Sequence, residues 1–141
     1  MTLQRTPTAQ RVIGLAIKVH RLLGPGLLES AYRSCLRYEL LRDGLDVASE
    51  VPIPVVYDGV VIDCAFKADL IVNETVLLEL KSIARLAPVH RAQLMTYLKL
   101  TGIREGLLLN FNEPRLVDGL RSVLLDAPSP VPRLPGLADQ T

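Results

Sequence analysis

The chain has no tryptophan, and only 4% of its 141 residues are aromatic. A core must therefore be built from Leu, Val, Ile and Ala, and the aromatic sheets on which single-stranded RNA stacks are disfavoured. Cysteine is also scarce. Cys35 and Cys64 fall in different expected elements without C-x-x-C spacing, so buried reduced thiols are expected rather than a zinc or redox motif. No run approaches the ~18–20 apolar residues of a membrane span. The first apolar segment, Val12 to Leu23, is broken by Lys18, His20 and Arg21 and lacks a small-residue cleavage site, which argues against a secretory signal. The expected location is the cytoplasm, with no membrane contact. Net charge is nearly absent at +1, so any polyanion must be held by a local patch or a partner.

What the chain does have is apolar residues, at 49%, in a length typical of one domain. A conventional core is then enough, because a chain of this size buries roughly 68–70% of its unfolded surface. Val12, Ile13, Ala16, Val19, Leu22 and Leu23 recur at helical steps within 9–23, and Gly24-Pro25-Gly26 ends that helix. A second helix is expected over 27–42, stopping at Gly44. Val51–Tyr57 and Val60–Phe66 flank Asp58-Gly59 and read as a hairpin, with Pro52 and Pro54 marking an edge strand. Asp69–Val72 and Val76–Lys81 follow around Asn73-Glu74-Thr75. Pro88 and Gly102 bracket a third helix, 106–111 reads as a buried strand, and 114–125 as a weak last helix. The expected order is α-α-β-β-β-α-β-α, in a domain over 9–126. Pro128, Pro130, Pro132 and Pro135 make 127–141 a proline-rich tail expected to be disordered.

The most informative segment is Ala68-Asp-Leu-Ile-Val72 followed by Val76-Leu-Leu-Glu-Leu-Lys81. Its nearly continuous apolar character fits strands covered on both faces. Glu79 and Lys81 interrupt the run and, at period two, share a face. A three-residue loop at Asn73–Thr75 would pair Val72 with Val76 and place Asp69 opposite Glu79, with Cβ atoms ~5 Å apart. Carboxylates that close repel unless a cation sits between them, and oxygen donors suit Mg²⁺ or Mn²⁺. The competing reading is an ion pair of Lys81 with Asp69 or Glu79 at the sheet rim that binds nothing.

Other segments add to the cluster. Glu29, the first acid of the chain, lies three residues before Tyr32 and so shares its helix face; its plainer role is favourable charge near a helix start, or an i,i+4 pair with Arg33. His90, Gln93 and Tyr97 form a polar stripe on the third helix, which a crossover would lay across the sheet, although such a stripe is also an ordinary solvated face. Two acid-free stretches are basic: 1–28 with Arg5, Arg11, Lys18 and Arg21, and 80–104 with Lys81, Arg85, Arg91, Lys99 and Arg104.

Taken together, these motifs resemble the GxxExxY family, a branch of the PD-(D/E)XK nuclease superfamily. Gly26-Leu-Leu-Glu29-Ser-Ala-Tyr32 matches the naming motif, Asp69 with Glu79-Leu-Lys81 resembles the nuclease core, and Gln93-Leu-Met-Thr-Tyr97 resembles the Q-xxx-Y helix motif of Cas4- and RecB-like relatives. Gly106–Phe111 is similar to the closing strand, and Ala68 stands where proline often precedes the aspartate. The resemblance implies a three-layer α/β, restriction-endonuclease-like fold with a mixed central sheet. It also implies a metal-dependent nuclease acting on nucleic acid, with DNA the expected substrate. Asp69, Glu79, the Leu80 carbonyl and Glu29 would hold Mg²⁺ or Mn²⁺, and Lys81 would complete the catalytic set. Gln93, Tyr97, Tyr32 and His90 would contact substrate or support the site, while Arg85 and Arg91 would meet the nucleic-acid backbone. The alternative is a catalytically idle adaptor or nucleic-acid-binding module acting through a protein partner or as a homodimer. A small-molecule hydrolase is disfavoured because His20 and His90 have no evident nucleophile beside them.

Overall fold

Helix α1 spans Pro7–Leu23 in a computed structural model of the protein, which describes residues 4–64 and 66–125. Thr6 caps it, its Oγ1 accepting from the Ala9 N–H, and Pro7 occupies a first-turn position where a missing N–H costs nothing. Thr6 is itself held by the buried Glu105 carboxylate, which accepts from the Thr6 N–H at 3.0 Å. Helix α2 covers Glu29–Arg42 and buries Tyr32, Leu36 and Leu40 on a stripe of period near four.

Strands β1 (Val47–Pro52), β2 (Val55–Tyr57), β3 (Val60–Ile62), β4 (Lys67–Val72) and β5 (Val76–Lys81) follow. Helix α3 (Pro88–Thr101) then leads to β6 (Glu105–Asn110), a 3-10 turn (Leu116–Gly119) and β7 (Leu120–Leu124). The main sheet has the order β1-β4-β5-β6-β7, parallel only between β5 and β6, where α3 makes the crossover. It is a mixed sheet between two helical layers. Val72, Val76, Leu78 and Leu80 pack with α1 and α2, whereas Leu77, Leu108 and Ile71 pack under Leu94, Tyr97 and Leu98 of α3. Among the described residues no helix is long and apolar enough to cross a membrane.

Two expected elements are corrected. Instead of one strand over 51–57 there are two, because Pro52 and Pro54 bracket Ile53, whose N–H turns to the Phe66 carbonyl while its side chain is fully buried. β1 is the predicted edge strand, and β2 and β3 form a separate ribbon around Asp58 (φ 50°) and Gly59 (φ 77°), the conformation that the Asp-Gly pair favours. The helix expected over 114–125 is instead a 3-10 turn and a strand. β6 is buried along its whole length, so its free edge needs backbone partners, and β7 supplies them antiparallel from Leu109↔Leu120 to Glu105↔Leu124. Gly119 permits the entry, since a Cβ there would stand 2.7 Å from the Asn110 carbonyl oxygen. The tail over 127–141 lies outside the described residues.

Gly106 lets α3 lie close against β6. A Cβ at that position would stand 2.9 Å from Leu94 Cδ1 and 3.2 Å from Leu98 Cδ1, both on fully buried side chains. Gly106→Ala is therefore expected to destabilise the protein by about 1 kcal/mol: overpacking at ~1–3 kcal/mol outweighs the ~0.4–1 kcal/mol gained by restricting the unfolded chain. Urea denaturation checks the sign, and a more stable variant would show that α3 gives way.

Candidate metal and active site

The loop Asn73-Glu74-Thr75 closes as expected, with Asn73 (φ 51°) and Glu74 (φ 59°) left-handed and the Thr75 N–H donating to the Val72 carbonyl. Backbone pairing of β4 with β5 then runs from Val72↔Val76 to Leu70↔Leu78. One step further, carboxylates take over the ladder. The Asp69 N–H donates to Glu79 Oε1 at 3.3 Å, and the Leu80 N–H donates to Asp69 Oδ2 at 2.8 Å.

The strands are also wrenched at this level. Ala68 and Ile71, three residues apart, both join the core under α3, as do Ala48 and Val51 on β1. Strict alternation would separate them onto opposite faces. The break coincides with Glu50, which has φ 51° and stands between the pairs Ser49↔Leu70 and Val51↔Ala68. At this break Asp69 can bond α2 as well as β5.

Three acids consequently share one partly dry volume. Asp69 and Glu79 are buried, at 7% and 5% exposed, and Glu29 is half-buried at the first position of α2. Burial raises the Glu29 carboxyl above the ordinary range, and the Asp69 charge and a carboxyl–carboxyl hydrogen bond to it raise it further. Burial also raises Asp69, against the lowering effects of the Leu80 N–H and Arg33. Glu79 is pushed up to about 8, first by burial and then by the Asp69 charge. Burial is the first cause for all three, and repulsion from a neighbouring acid adds to it at Glu29 and Glu79.

Arg33, which the sequence offered only as an i,i+4 partner for Glu29, is the cation that reaches Asp69, with Nη1 3.2 Å from Oδ1. Lys81 instead meets α3: its Nζ lies 3.5 Å from Gln93 Oε1, and Gln93 Nε2 donates to the Tyr97 hydroxyl at 3.0 Å. Lys81 still faces the acids, since its charge lowers all three. Burial and the Glu79 charge raise the Tyr97 hydroxyl, so Tyr97 also borders the cluster; on its other side its ring lies 6.1 Å from that of Phe66.

The remaining expected site residues are dispersed. Tyr32 is fully buried, stacked on Phe111 with ring centroids 4.5 Å apart, and cannot touch substrate. Its hydroxyl accepts from the Leu27 N–H and donates to the Gly24 carbonyl, pinning the loop that delivers Glu29. His90 uses Nδ1 to accept from the Ala87 N–H and so caps its own helix. His20 is buried beside the Glu113 carbonyl, 2.8 Å from Nε2. Arg85 is exposed in the connection after β5, whereas Arg91 lines a cavity of about 770 Å³ with Arg5, Gln10 and Ser122. A second residue missed in the sequence is Asn110, which is fully buried. Its amide accepts from the Ile83 N–H and donates to the Ile83 carbonyl, clamping the chain just past Lys81.

The donor chemistry suits a hard divalent cation: the donors are oxygens, and the carboxylates are raised by burial, Glu79 to about 8. Among the described residues no three or more His, Cys, Asp or Glu side chains already form a metal-binding group. Both Asp69 oxygens have partners, Arg33 and the Leu80 N–H. A family model described as the PD-(D/E)XK nuclease superfamily matches residues 6–123. Searches of curated proteins and of solved structures returned no significant match.

Proposed function

Because the chain belongs to the PD-(D/E)XK nuclease superfamily, we propose that it hydrolyses phosphodiester bonds of nucleic acid, DNA in the first instance, at the acidic cluster of β4, β5 and α2. The observation that carries this reading is the exchange of side-chain for ladder bonds at Asp69 and Glu79, which sets two buried carboxylates side by side with Lys81 on the same strand.

Asp69, Glu79, the Leu80 carbonyl and Glu29 would hold Mg²⁺ or Mn²⁺. When bound, such an ion polarises a phosphoryl oxygen and makes a water more acidic. Glu79, whose carboxyl burial and the Asp69 charge push up to about 8, would release a proton to solvent in order to serve as a ligand. Lys81 offers a fixed positive charge where negative charge develops on the phosphoryl group. Gln93 positions the Lys81 ammonium, and Tyr97 in turn orients the Gln93 amide. Asn110 keeps the strand end from drifting by bonding both polar groups of Ile83. Arg85, and more remotely Arg91 with Arg5, would contact backbone phosphates.

The test is cleavage of single-stranded, duplex and branched DNA, and of RNA, with Mg²⁺ or Mn²⁺. Wild-type cleavage should vanish with chelator, and Asp69→Ala and Lys81→Ala should fall to the metal-free background. Cleavage unchanged by both substitutions would overturn the assignment. The occupied Asp69 oxygens favour one second reading, a nuclease fold retained as an adaptor. That reading predicts no cleavage on any substrate and a stable complex that survives Glu79→Gln.

A further inference from the structure

Arg33 bridges two acids of unequal character. Nη1 reaches Asp69 Oδ1 at 3.2 Å, and Nη2 lies 3.5 Å from Glu50 Oε1. The Asp69 side chain is 10% exposed and that of Glu50 54%, so one guanidinium has a dry partner and a wet one. Both acids stand at the same level of the β1–β4 pair, between Ser49↔Leu70 and Val51↔Ala68. Glu50 is held there in a left-handed conformation, φ 51°, that a non-glycine residue adopts at a cost. A planar guanidinium can serve two carboxylates through separate nitrogens, so breaking one contact leaves the other intact.

We propose that Arg33 is a built-in counter-ion: it neutralises Asp69 while no metal is present and withdraws to Glu50 when a divalent cation takes Asp69. The inference rests on the metal reading above and adds a competitor to it. A buried Asp69 beside two other acids needs a positive partner, and Arg33 is placed to be one. A divalent ion at the same carboxylate would be repelled by the guanidinium at contact range, so loading requires Arg33 to let go. Glu50, largely in water on the same side, gives the displaced charge a partner and makes that release easier. Metal affinity is thereby set by a contest between α2 and the ion, with β1 holding the alternative contact.

Mn²⁺ binding to the full chain, followed by the electron paramagnetic resonance of free Mn²⁺, separates the roles. Arg33→Gln should tighten Mn²⁺ binding about tenfold by removing the competing charge. Glu50→Gln should weaken it about threefold, because Arg33 then has only Asp69 to pair with. In the Arg33→Gln background Glu50→Gln should change little; an equal effect in both backgrounds would be long-range charge alone and would overturn the proposal. Unchanged or weaker binding by folded Arg33→Gln would overturn it too. Where Arg33→Gln does not fold, Glu50→Gln at its exposed position decides, and an unshifted affinity there overturns the counter-ion role. Failure of wild type and every variant to bind Mn²⁺ overturns the metal reading along with this one. Wild-type binding with an unshifted Arg33→Gln overturns this one only.

Discussion

At pH 8 and without metal, Glu79→Gln should be more stable than wild type by about 4 kcal/mol, and at pH 5 by only about 1 kcal/mol. The Glu79 carboxyl sits at about 8 in the folded protein and at 4.5 when unperturbed, so the folded state keeps a proton that the unfolded chain has released. For a group raised on folding, the stability it contributes is fully present below the unfolded value and is lost as pH rises through the folded value. The window is therefore roughly pH 4.5 to 8, and across it wild type weakens as pH increases. At roughly 1.4 kcal/mol per pH interval the accumulated penalty reaches the figures above. Gln copies the neutral carboxyl: its amide oxygen can still accept from the Asp69 N–H, and it has no proton to lose. Urea denaturation of both proteins at pH 5 and pH 8 checks this. A difference that does not grow with pH would mean that water or rearrangement relieves Glu79, and that the acids are less crowded than the strands make them.

That crowding was legible in the sequence for a definite reason. The apolar run from Ala68 to Lys81 is punctuated only by the three-residue loop and by Asp69, Glu79 and Lys81, so period-two alternation and loop length together bring Asp69 to Glu79. The same reasoning saw Arg33 only as a helix neighbour of Glu29, not as the partner of Asp69. Nothing in the spacing of α2 says that the residue after a buried tyrosine turns toward β4; that depends on the wrench at Glu50, a backbone event without a glycine or proline to announce it. Asn110 was hidden because it ends the apolar run Gly106–Leu109, and its two bonds to Ile83 depend on the parallel register of β5 and β6. β7 was misread because Leu116, Leu120, Val123 and Leu124 also fit a helical stripe, and only the exposed edge of β6 decides for the strand. For Tyr32 the sequence left substrate contact and support of the site both open, since spacing places it beside Glu29 without saying that Phe111 lies under its ring.

Tyr32→Ala is expected to cost about 3–5 kcal/mol, the range for removing a large buried aromatic side chain. The ring is fully buried and lies at 17° to Phe111, so the substitution loses burial, the stacked contact worth ~0.5–1.5 kcal/mol, and leaves a void under α1 and α2. Tyr32→Phe keeps the ring and removes only the hydroxyl that joins the Leu27 N–H to the Gly24 carbonyl. That loop borders water, so both freed groups can be solvated and the cost falls to about 1 kcal/mol. The two variants therefore separate packing from positioning. Gly24 and Gly26 hold φ values of 69° and 101°, and without the hydroxyl nothing on Tyr32 ties them to the start of α2, where Glu29 stands. On the proposed metal-dependent cleavage, Tyr32→Phe should consequently lose a larger share of activity than its small loss of stability accounts for, whereas an effect on stability alone would confine Tyr32 to the core. Urea denaturation and cleavage rates measured on the same preparations distinguish these outcomes, and a Tyr32→Ala protein as stable as wild type would contradict the packing of α2 on Phe111.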